Sequence, residues 1–167
     1  AYIERGVYGG GSFGYCPTNQ KSNLYITGGI VAGVSGGMNA IFSNYDTNNK
    51  PVYTTEYNKD IHGGVYGGAC KNKGGNVNIF MTGGTVNGGL YGGSNASGVI
   101  SGDVNIKILG GQVGTSSAVA NVHGGGYGSS TIVTKNIEIT LDNSSRDSDG
   151  AIIYGDVYGG SALGNVN

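Results

Sequence analysis

The sequence predicts an all-β protein, a parallel β-solenoid (β-helix) of about six coils, each of roughly 25–36 residues with three short strands. Three observations support this prediction. A glycine-rich motif built around Val-Tyr-Gly-Gly recurs along the 167 residues. A second element, in which apolar and polar residues alternate, separates the copies. No segment shows the 3.6-residue apolar period of an amphipathic helix.

Six copies of the glycine-rich motif organise the chain. The full copies contain an apolar residue, a tyrosine and two glycines, whereas the second copy has Ser35 in place of the tyrosine. The copies lie at residues 3–10, 31–37, 61–68, 86–93, 122–128 and 153–160. A fixed motif at variable spacing is typical of stacked coils joined by loops of changing length, while propeller blades need about 40–50 residues.

Each coil is predicted to contain three strands. The first is the Val-Tyr strand, as at Val65 and Tyr66. The second is an alternating strand, as at residues 77–81, in which valine, isoleucine and methionine share one face. The third is the short strand after Gly-Gly, as at Thr85 and Val86. Gly-Gly pairs are expected at the corners, where a tight bend needs positive φ.

Equivalent residues of successive coils are predicted to stack into two inward apolar ladders, and burial of each side chain contributes roughly 1.5–3 kcal/mol. The ladder of the Val-Tyr strand contains Val7, Val34, Val65, Leu90 and Val157, with Gly126 as a gap. The ladder of the alternating strand contains Leu24, Val77, Val104, Ile137 and Val166.

The chain is expected to be one solenoid segment over residues 1–167. Because the repeat pattern reaches both ends, we interpret the sequence as a fragment of a longer repeat protein. Three insertion loops are predicted, at about 40–60, 114–121 and 142–150. Within the first of them, residues 52–57 also fit a strand.

Five tyrosines that follow the apolar position of the motif form a possible binding ladder. They are Tyr8, Tyr66, Tyr91, Tyr127 and Tyr158. If the apolar residue faces the core, alternation directs the tyrosine outward, where a phenol column is a stacking platform for sugars or for another protein. The alternative is that the rings stack on each other and cover the glycine-rich corners.

A second ladder stands at the start of the alternating strands. Its members are Asn23, Asn76, Asp103, Asn136 and Asn165. Amide ladders form hydrogen bonds along a parallel stack and hold its register, so a structural role is predicted. Contact with an ion or a sugar is the alternative.

No cofactor is predicted, and only one loop is a weak metal candidate. That loop contains Asp142, Asp147 and Asp149, and oxygen-rich loops can bind Ca²⁺, although the spacing fits no standard calcium loop. His62 and His123 are interpreted as surface residues at equivalent motif positions, two coils apart and too distant to share one metal.

The two cysteines, Cys16 and Cys70, form neither a disulfide framework nor a zinc pattern. They pair if their loops meet, and otherwise are free thiols.

Composition and patterning argue against several function classes. The net charge of −1 and the pI near 6.1 give no basic surface for nucleic acid. No apolar run approaches the roughly 20 residues that a membrane-spanning helix needs, so no membrane insertion is expected in this segment. The regular strands carry no paired acids at equivalent places in adjacent coils, so no catalytic residues and no enzyme activity are predicted.

Residues 76–93 combine the alternating strand, Thr-Gly-Gly and the Leu-Tyr-Gly-Gly form of the motif. This pattern resembles the Gly-rich repeats of large bacterial surface proteins, the adhesin-like and autotransporter-passenger-like β-solenoids. The resemblance covers nearly the whole chain apart from the insertions, and Asp142-Asn143 departs from it by replacing Gly-Gly. It implies a secreted or surface-attached stalk or adhesin.

The function predicted is therefore that of a non-enzymatic, extracellular structural or adhesive module. Its expected partners are flanking repeats or other copies stacked end to end, and a host or microbial surface glycan or protein. One alternative is a head-to-tail filament subunit, because open solenoid ends leave strand edges unpaired. Another is a carbohydrate-binding or polysaccharide-degrading β-helix that uses the tyrosine face.

Overall fold

The computed structural model describes residues 1–11, 19–34, 37–45, 47, 51–58, 62–69, 74–142 and 150–167. Across these ranges the chain forms sixteen β-strands and no helix, so the all-β prediction is confirmed. A membrane-spanning helix is accordingly not found in the described ranges.

Three sheets of parallel strands make up most of the described structure. The first sheet has the order β1 (Tyr2–Ile3), β3 (Lys21–Val31), β7 (Asn76–Val86), β10 (Val104–Val113) and β13 (Ile137–Leu141), with β14 (Ile152–Ile153) beside the second half of β10. The second sheet has the order β15 (Val157–Tyr158), β11 (Val122–His123), β8 (Leu90–Tyr91), β6 (Gly64–Tyr66) and β2 (Gly6–Tyr8). The third sheet has the order β16 (Asn165–Val166), β12 (Ser130–Val133) and β9 (Ser97–Ile100).

The chain passes through the three sheets in rotation. From β8 onward it enters the second, third and first sheet in turn, and it repeats this order through β11, β12 and β13 and again from β15 to β16. Neighbouring strands in a sheet therefore come from segments one full motif apart. Parallel strands require such a crossover, and here the crossover consists of the strands of the other two sheets.

A hairpin stands apart from the three sheets. Its strands β4 (Gly37–Tyr45) and β5 (Pro51–Asn58) pair antiparallel with each other, and neither belongs to another sheet of the described chain. The insertion predicted as a loop at about 40–60 is thus mostly a strand pair, as alternation within residues 52–57 allowed. Pro51 is the first residue of its strand, a position that tolerates the missing N–H.

Alternation along the first sheet directs apolar side chains into one core. Val77 and Ile79 of β7 are buried, and the register places them opposite Val104 and Ile106 of β10. Residues from the other two sheets complete this core: Val65, Leu90, Val122, Ile100 and Val133. All three sheets therefore bury their inner faces against each other, which is the main favourable contribution to folding.

The predicted strands and the observed sheets differ in one respect. The alternating strand and the short strand after Gly-Gly are two halves of a single strand of the first sheet, as in β7. The third sheet was not predicted. Its strands β9 and β12 are short and lie between a motif copy and the next alternating strand, where no strand was assigned. Their runs of β-branched residues, as at residues 131–133, were the available signal.

The first predicted apolar ladder needs correction at the gap that was assigned to Gly126. The second sheet pairs Val7, Val65, Leu90, Val122 and Val157 in succession. Val122 therefore occupies the place where Gly126 was expected to leave a gap. The alignment was wrong because the copy at 122–128 has its Gly-Gly directly after His123, so the histidine, and not Tyr127, takes the ring position.

Val34 does not belong to that ladder either. It is 47% exposed, and β2 pairs directly with β6, so the second sheet has five strands where six motif copies predicted six. The segment around Val34 continues the layer of the first sheet instead. The Ala32 amide donates to the Ile3 carbonyl at 2.8 Å, and the Asn87 amide donates to the Val31 carbonyl at 2.8 Å.

The hairpin separates residues 31–34 from the next motif copy along the chain. It follows Val34 in the chain, and after it Gly63 packs back against Gly33, where an added Cβ would lie 2.5 Å from the Gly33 carbonyl carbon. The chain thus returns beside the point where it left. Residues 31–34 and 62–68 are therefore adjacent in space although the hairpin separates them along the chain.

The second predicted apolar ladder is partly misaligned. Val77, Val104 and Ile137 do pair in register. Leu24 lies opposite Ile79, two positions beyond Val77, so the prediction for Leu24 was wrong. The sequence alignment matched Asn23 with Asn76, whereas the register pairs Lys21 with Asn76.

Val166 belongs to another sheet. It pairs with Val133 in the third sheet, so the chain end at residues 165–167 is not a fifth alternating strand. A valine beside asparagines occurs in both strand types, which is why the sequence pattern did not separate them.

Gly-Gly pairs occur inside the strands of the first sheet and after the ring position of the second sheet, and glycine is needed at the two places for different physical reasons. Within the strands of the first sheet, the second glycine has positive φ, +87° at Gly29 and Gly84 and +83° at Gly111. The register shifts at these points, so each pair makes a bulge that bends its strand. Left-handed backbone conformations of this kind favour glycine.

The glycine after the ring position of the second sheet is needed for space. A Cβ at Gly92 would overlap the Gly124 carbonyl oxygen and the Val104 side chain. Gly159 holds the same motif position in the last strand of the sheet, and there nothing lies within 4 Å of an added Cβ.

We predict that Gly92→Ala lowers the free energy of unfolding by about 1–3 kcal/mol, because an extra methyl group in a filled position forces its neighbours apart. Gly159→Ala is the matched control and should change it by less than about 0.5 kcal/mol. Urea unfolding followed by circular dichroism measures both. Equal effects of the two substitutions would contradict the close packing at Gly92.

Candidate functional site

Five aromatic rings stack face to face along the second sheet and form what we call the aromatic column. Its members are Tyr8, Tyr66, Tyr91, His123 and Tyr158. Adjacent ring centroids lie 4.7 to 5.3 Å apart, and the angles between adjacent ring planes are 2° to 11°. The column follows from the register, since parallel strands about 4.8 Å apart place the same motif position directly above itself.

The middle of the aromatic column is buried. Tyr66 is 0% exposed, Tyr91 4% and His123 7%, while Tyr158 at the end is 44% exposed. The interpretation of the column as an outward platform for sugars is therefore wrong for its inner rings. The rings instead stack on one another, as the alternative stated.

Tyr127 and His62 cover the side of the aromatic column. Tyr127 stacks on His62 with a centroid distance of 4.6 Å and meets the edge of Tyr91 at 5.6 Å. His62 also meets Tyr91 edge-on, at 6.3 Å. The two histidines are thus not equivalent surface residues, because His123 is a member of the column and His62 is part of its cover.

Asn95 connects the cover to the column, although no repeat in the sequence points to this residue. Its Nδ2 donates to the His62 carbonyl oxygen at 2.7 Å and to the Tyr8 hydroxyl oxygen at 3.0 Å. The Tyr66 hydroxyl donates to the same His62 carbonyl at 2.6 Å. Asn95 is fully buried, and these hydrogen bonds account for an asparagine at this position.

Burial shifts the pKa values of the ionisable groups here toward the neutral forms. Desolvation lowers the pKa of His123, whose Nδ1 is buried without a hydrogen-bond partner among the described residues. Desolvation also lowers the pKa of His62, against the effect of its 2.8 Å hydrogen bond with the Gly88 carbonyl. Burial, and next the proximity of Tyr127, raises the pKa of Tyr91.

At the exposed end, the hydroxyl of Tyr158 donates to Asp156 Oδ2 at 3.0 Å. This hydrogen bond is the main reason that the pKa of Tyr158 is raised, and the carboxylate charge adds to it. The shifts at Tyr91, His123 and Tyr158 all disfavour the charged form of the ring, which suits a packing role.

Part of the predicted asparagine ladder is present at the start of the first sheet. Asn76 Oδ1 accepts a hydrogen bond from the Asp103 amide at 2.9 Å, and Asp103 Oδ1 accepts from the Asn136 amide and side chain, both at 3.3 Å. Asn23 and Asn165 were assigned to this ladder wrongly. Asn23 lies two positions further along the sheet, and Asn165 lies in the third sheet.

A second amide ladder, which the sequence analysis missed, runs across the outer face of the first sheet. Asn78 Nδ2 donates to Asn23 Oδ1 at 2.8 Å, and Asn105 Nδ2 donates to Asn78 Oδ1 at 3.0 Å. The next residue in register is Glu138, whose carboxylate has no hydrogen to donate, so the amide ladder ends there. Alternation along the strands was the available signal.

A row of larger side chains lies beside this outer amide ladder. Tyr25, Phe80 and Lys107 face outward in register, and Tyr25 is 72% exposed. The ring centroids of Tyr25 and Phe80 are 6.2 Å apart with a 60° tilt. A cavity of about 280 Å³ lies between ladder and row, and we call it the outer groove, lined by Asn23, Asn78, Asn105, Tyr25, Phe80 and Lys107.

A larger cavity of about 540 Å³ lies at the bends of the first sheet. Its described lining is mainly glycine and threonine, with Gln112 and Ile152 beside them and no charged side chain. This surface offers fewer directional groups than the outer groove.

The remaining candidates fall largely outside the described ranges. Asp147, Asp149, Cys16 and Cys70 are among the residues not described. Asp142 is described, and its amide donates to the Ile108 carbonyl at 3.0 Å. No cluster of three or more His, Cys, Asp or Glu side chains that would suit a metal occurs among the described residues.

We predict that the protein loses stability as pH falls below about 6.5, the ordinary histidine pKa. The folded-state pKa values of His62 and His123 are lowered, so the unfolded state binds more protons there and stability rises with pH up to that value. His123→Phe keeps a ring between Tyr91 and Tyr158 and removes one titrating group. Urea midpoints at pH 5 and pH 8 should differ less in this variant.

The substitution leaves every carboxylate in place, so the comparison isolates the histidine contribution. An unchanged difference between the two pH values would show that burial of His123 does not couple to protonation.

Comparisons with protein-family models, with curated proteins and with solved structures found no match. The aromatic column, the amide ladders and the outer groove are the features from which we infer a function.

Proposed function

We propose that the chain is a segment of a parallel β-solenoid that acts as a non-enzymatic structural or adhesive module of an extracellular bacterial surface protein. The observation that carries the proposal is the unbroken register of the second sheet from β2 to β15. Every strand of that sheet repeats an apolar position, valine or leucine, followed by a ring position. Such repetition is typical of a solenoid, in which each repeat contacts only its neighbours.

The rotation of the chain through the three sheets supports the solenoid. Residues 90–121 contain β8, β9 and β10, one strand for each sheet, and the following residues begin the same circuit again. In a solenoid each such circuit is one coil. The aromatic column corresponds to five coils instead of the six that the motif count gave.

The use of the ionisable groups supports a structural role. His62 and His123 pack against tyrosine rings, and the Asp103 side chain accepts hydrogen bonds along the amide ladder. Their side chains thus connect neighbouring strands. A general acid or base instead needs a partner and an open approach to substrate.

The exposed layer at the last strands supports a flanking repeat as partner. Val157 is 40% exposed, whereas its neighbour in register, Val122, is fully buried. Leu141 and Ile152, on the last strands of the first sheet, are exposed as well. Another layer of the same repeat would bury these side chains and extend the aromatic column from Tyr158.

A second copy of this chain is the other possible source of that layer, so a head-to-tail filament subunit is the second candidate function. Sedimentation velocity at increasing protein concentration distinguishes the two. Growing oligomers that Val157→Lys abolishes and Val119→Lys preserves would support the filament. A monomer at every concentration would exclude it.

We predict that tandem duplication of residues 90–121 is tolerated. The added segment would supply one extra strand to each sheet in the existing register, so the unfolding midpoint should stay the same or rise. Circular dichroism and urea unfolding measure the result. A Gly-Ser insert of equal length at the same place is the control, and loss of cooperative unfolding in the duplicated protein but not in the control would contradict a solenoid.

The extracellular location comes from the resemblance of residues 76–93 to surface-protein repeats. We predict that an antibody against the purified segment labels intact cells that produce the protein as strongly as permeabilised cells. Immunofluorescence with a cytoplasmic protein as control measures this. Labelling that appears only after permeabilisation would contradict the proposed location.

A further inference from the structure

We infer that the outer groove binds an oligosaccharide of pyranose rings. This surface lies on the first sheet and differs from the buried aromatic column that the sequence indicated. The inference gives a ligand class to the adhesive role and in that sense rests on the proposed function. The geometry of the outer groove, however, does not depend on the number of coils in the proposed solenoid.

The floor of the outer groove has unused hydrogen-bonding capacity. An asparagine amide has two donor hydrogens and an oxygen that accepts two bonds. The ladder uses one hydrogen and one acceptor position of Asn78, in its bonds with Asn23 and Asn105. The remaining groups match sugar hydroxyls, which both donate and accept.

The wall of the outer groove is aromatic. Tyr25 offers an exposed ring, and the tilted Phe80 ring lies 6.2 Å from it, centroid to centroid. The C–H face of a pyranose ring is apolar and stacks on such rings, while the hydroxyls at its rim reach polar groups. Aromatic side chains with a polar tip suit this combination. Lys107 at the end of the row adds a donor for hydroxyl or carboxylate oxygens.

The spacing of the groove residues also suits a periodic ligand. The amides stand on β3, β7 and β10, neighbouring strands about 4.8 Å apart. Successive rings of an extended glycan advance by a similar step. A glycan that lies across the strands therefore meets one amide for each sugar.

A protein partner fits this surface less well. β7 has neighbours on both sides, so the groove offers no free strand edge for a peptide to pair with. An apolar protein surface would bury the groove amides without replacing their hydrogen bonds to water, which is costly.

The test is an array of immobilised pyranose oligosaccharides, neutral and uronate-containing, followed by titration with the strongest binder in soluble form. Tyr25→Ala should weaken binding about three- to tenfold, the effect of losing one aromatic stacking contact. Tyr25→Phe keeps the ring and should bind within about twofold of the parent. Tyr154→Ala, an exposed tyrosine outside the groove, is the matched control and should bind like the parent.

Three results would overturn the inference: no binding on the array, binding unchanged in Tyr25→Ala, or equal losses in Tyr25→Ala and Tyr154→Ala. Tyr25 is mostly exposed, so its variants should keep the parent's urea midpoint, and this measurement separates lost binding from lost folding. Failure here leaves the duplication result untouched, so the two proposals fail separately.

Discussion

In-register parallel pairing is the constraint on which the rest of the structure depends. Strands about 4.8 Å apart place equivalent residues above one another, so each residue must be compatible with a near-copy of itself. Flat rings satisfy this at Tyr66 and Tyr91, and amides satisfy it at Asn23 and Asn78. Where a side chain would strike the neighbouring backbone, as at Gly92, only glycine fits.

The same constraint explains how far the sequence could be interpreted. Alternation and repetition are visible in the sequence. They predict the strand type, the parallel pairing and the pairing of Val77 with Val104. They do not predict the place of His123 in the aromatic column, because motif matching favoured the nearby Tyr127. The ring position is the residue directly before the Gly-Gly pair that packs against the neighbouring strand. Which Gly-Gly pair packs in this way depends on strand pairing, not on residue type.

The candidate sites show a similar division. The sequence identified the tyrosines of the column but placed them on the surface, since alternation alone does not reveal that Tyr127 and His62 cover Tyr91. It missed the outer groove because no motif joins Tyr25 to Phe80. Their proximity arises only when β3 and β7 are set in register.

The position of the hairpin between Val34 and His62 allows the length of the chain to vary at this point. Gly33 and Gly63 lie against each other. A segment whose two ends meet can therefore connect Val34 to His62 without displacing the strands around it. Loop-closure entropy grows slowly with length, so longer or shorter segments cost similar amounts. This junction is a natural entry point for a foreign peptide displayed from a rigid scaffold.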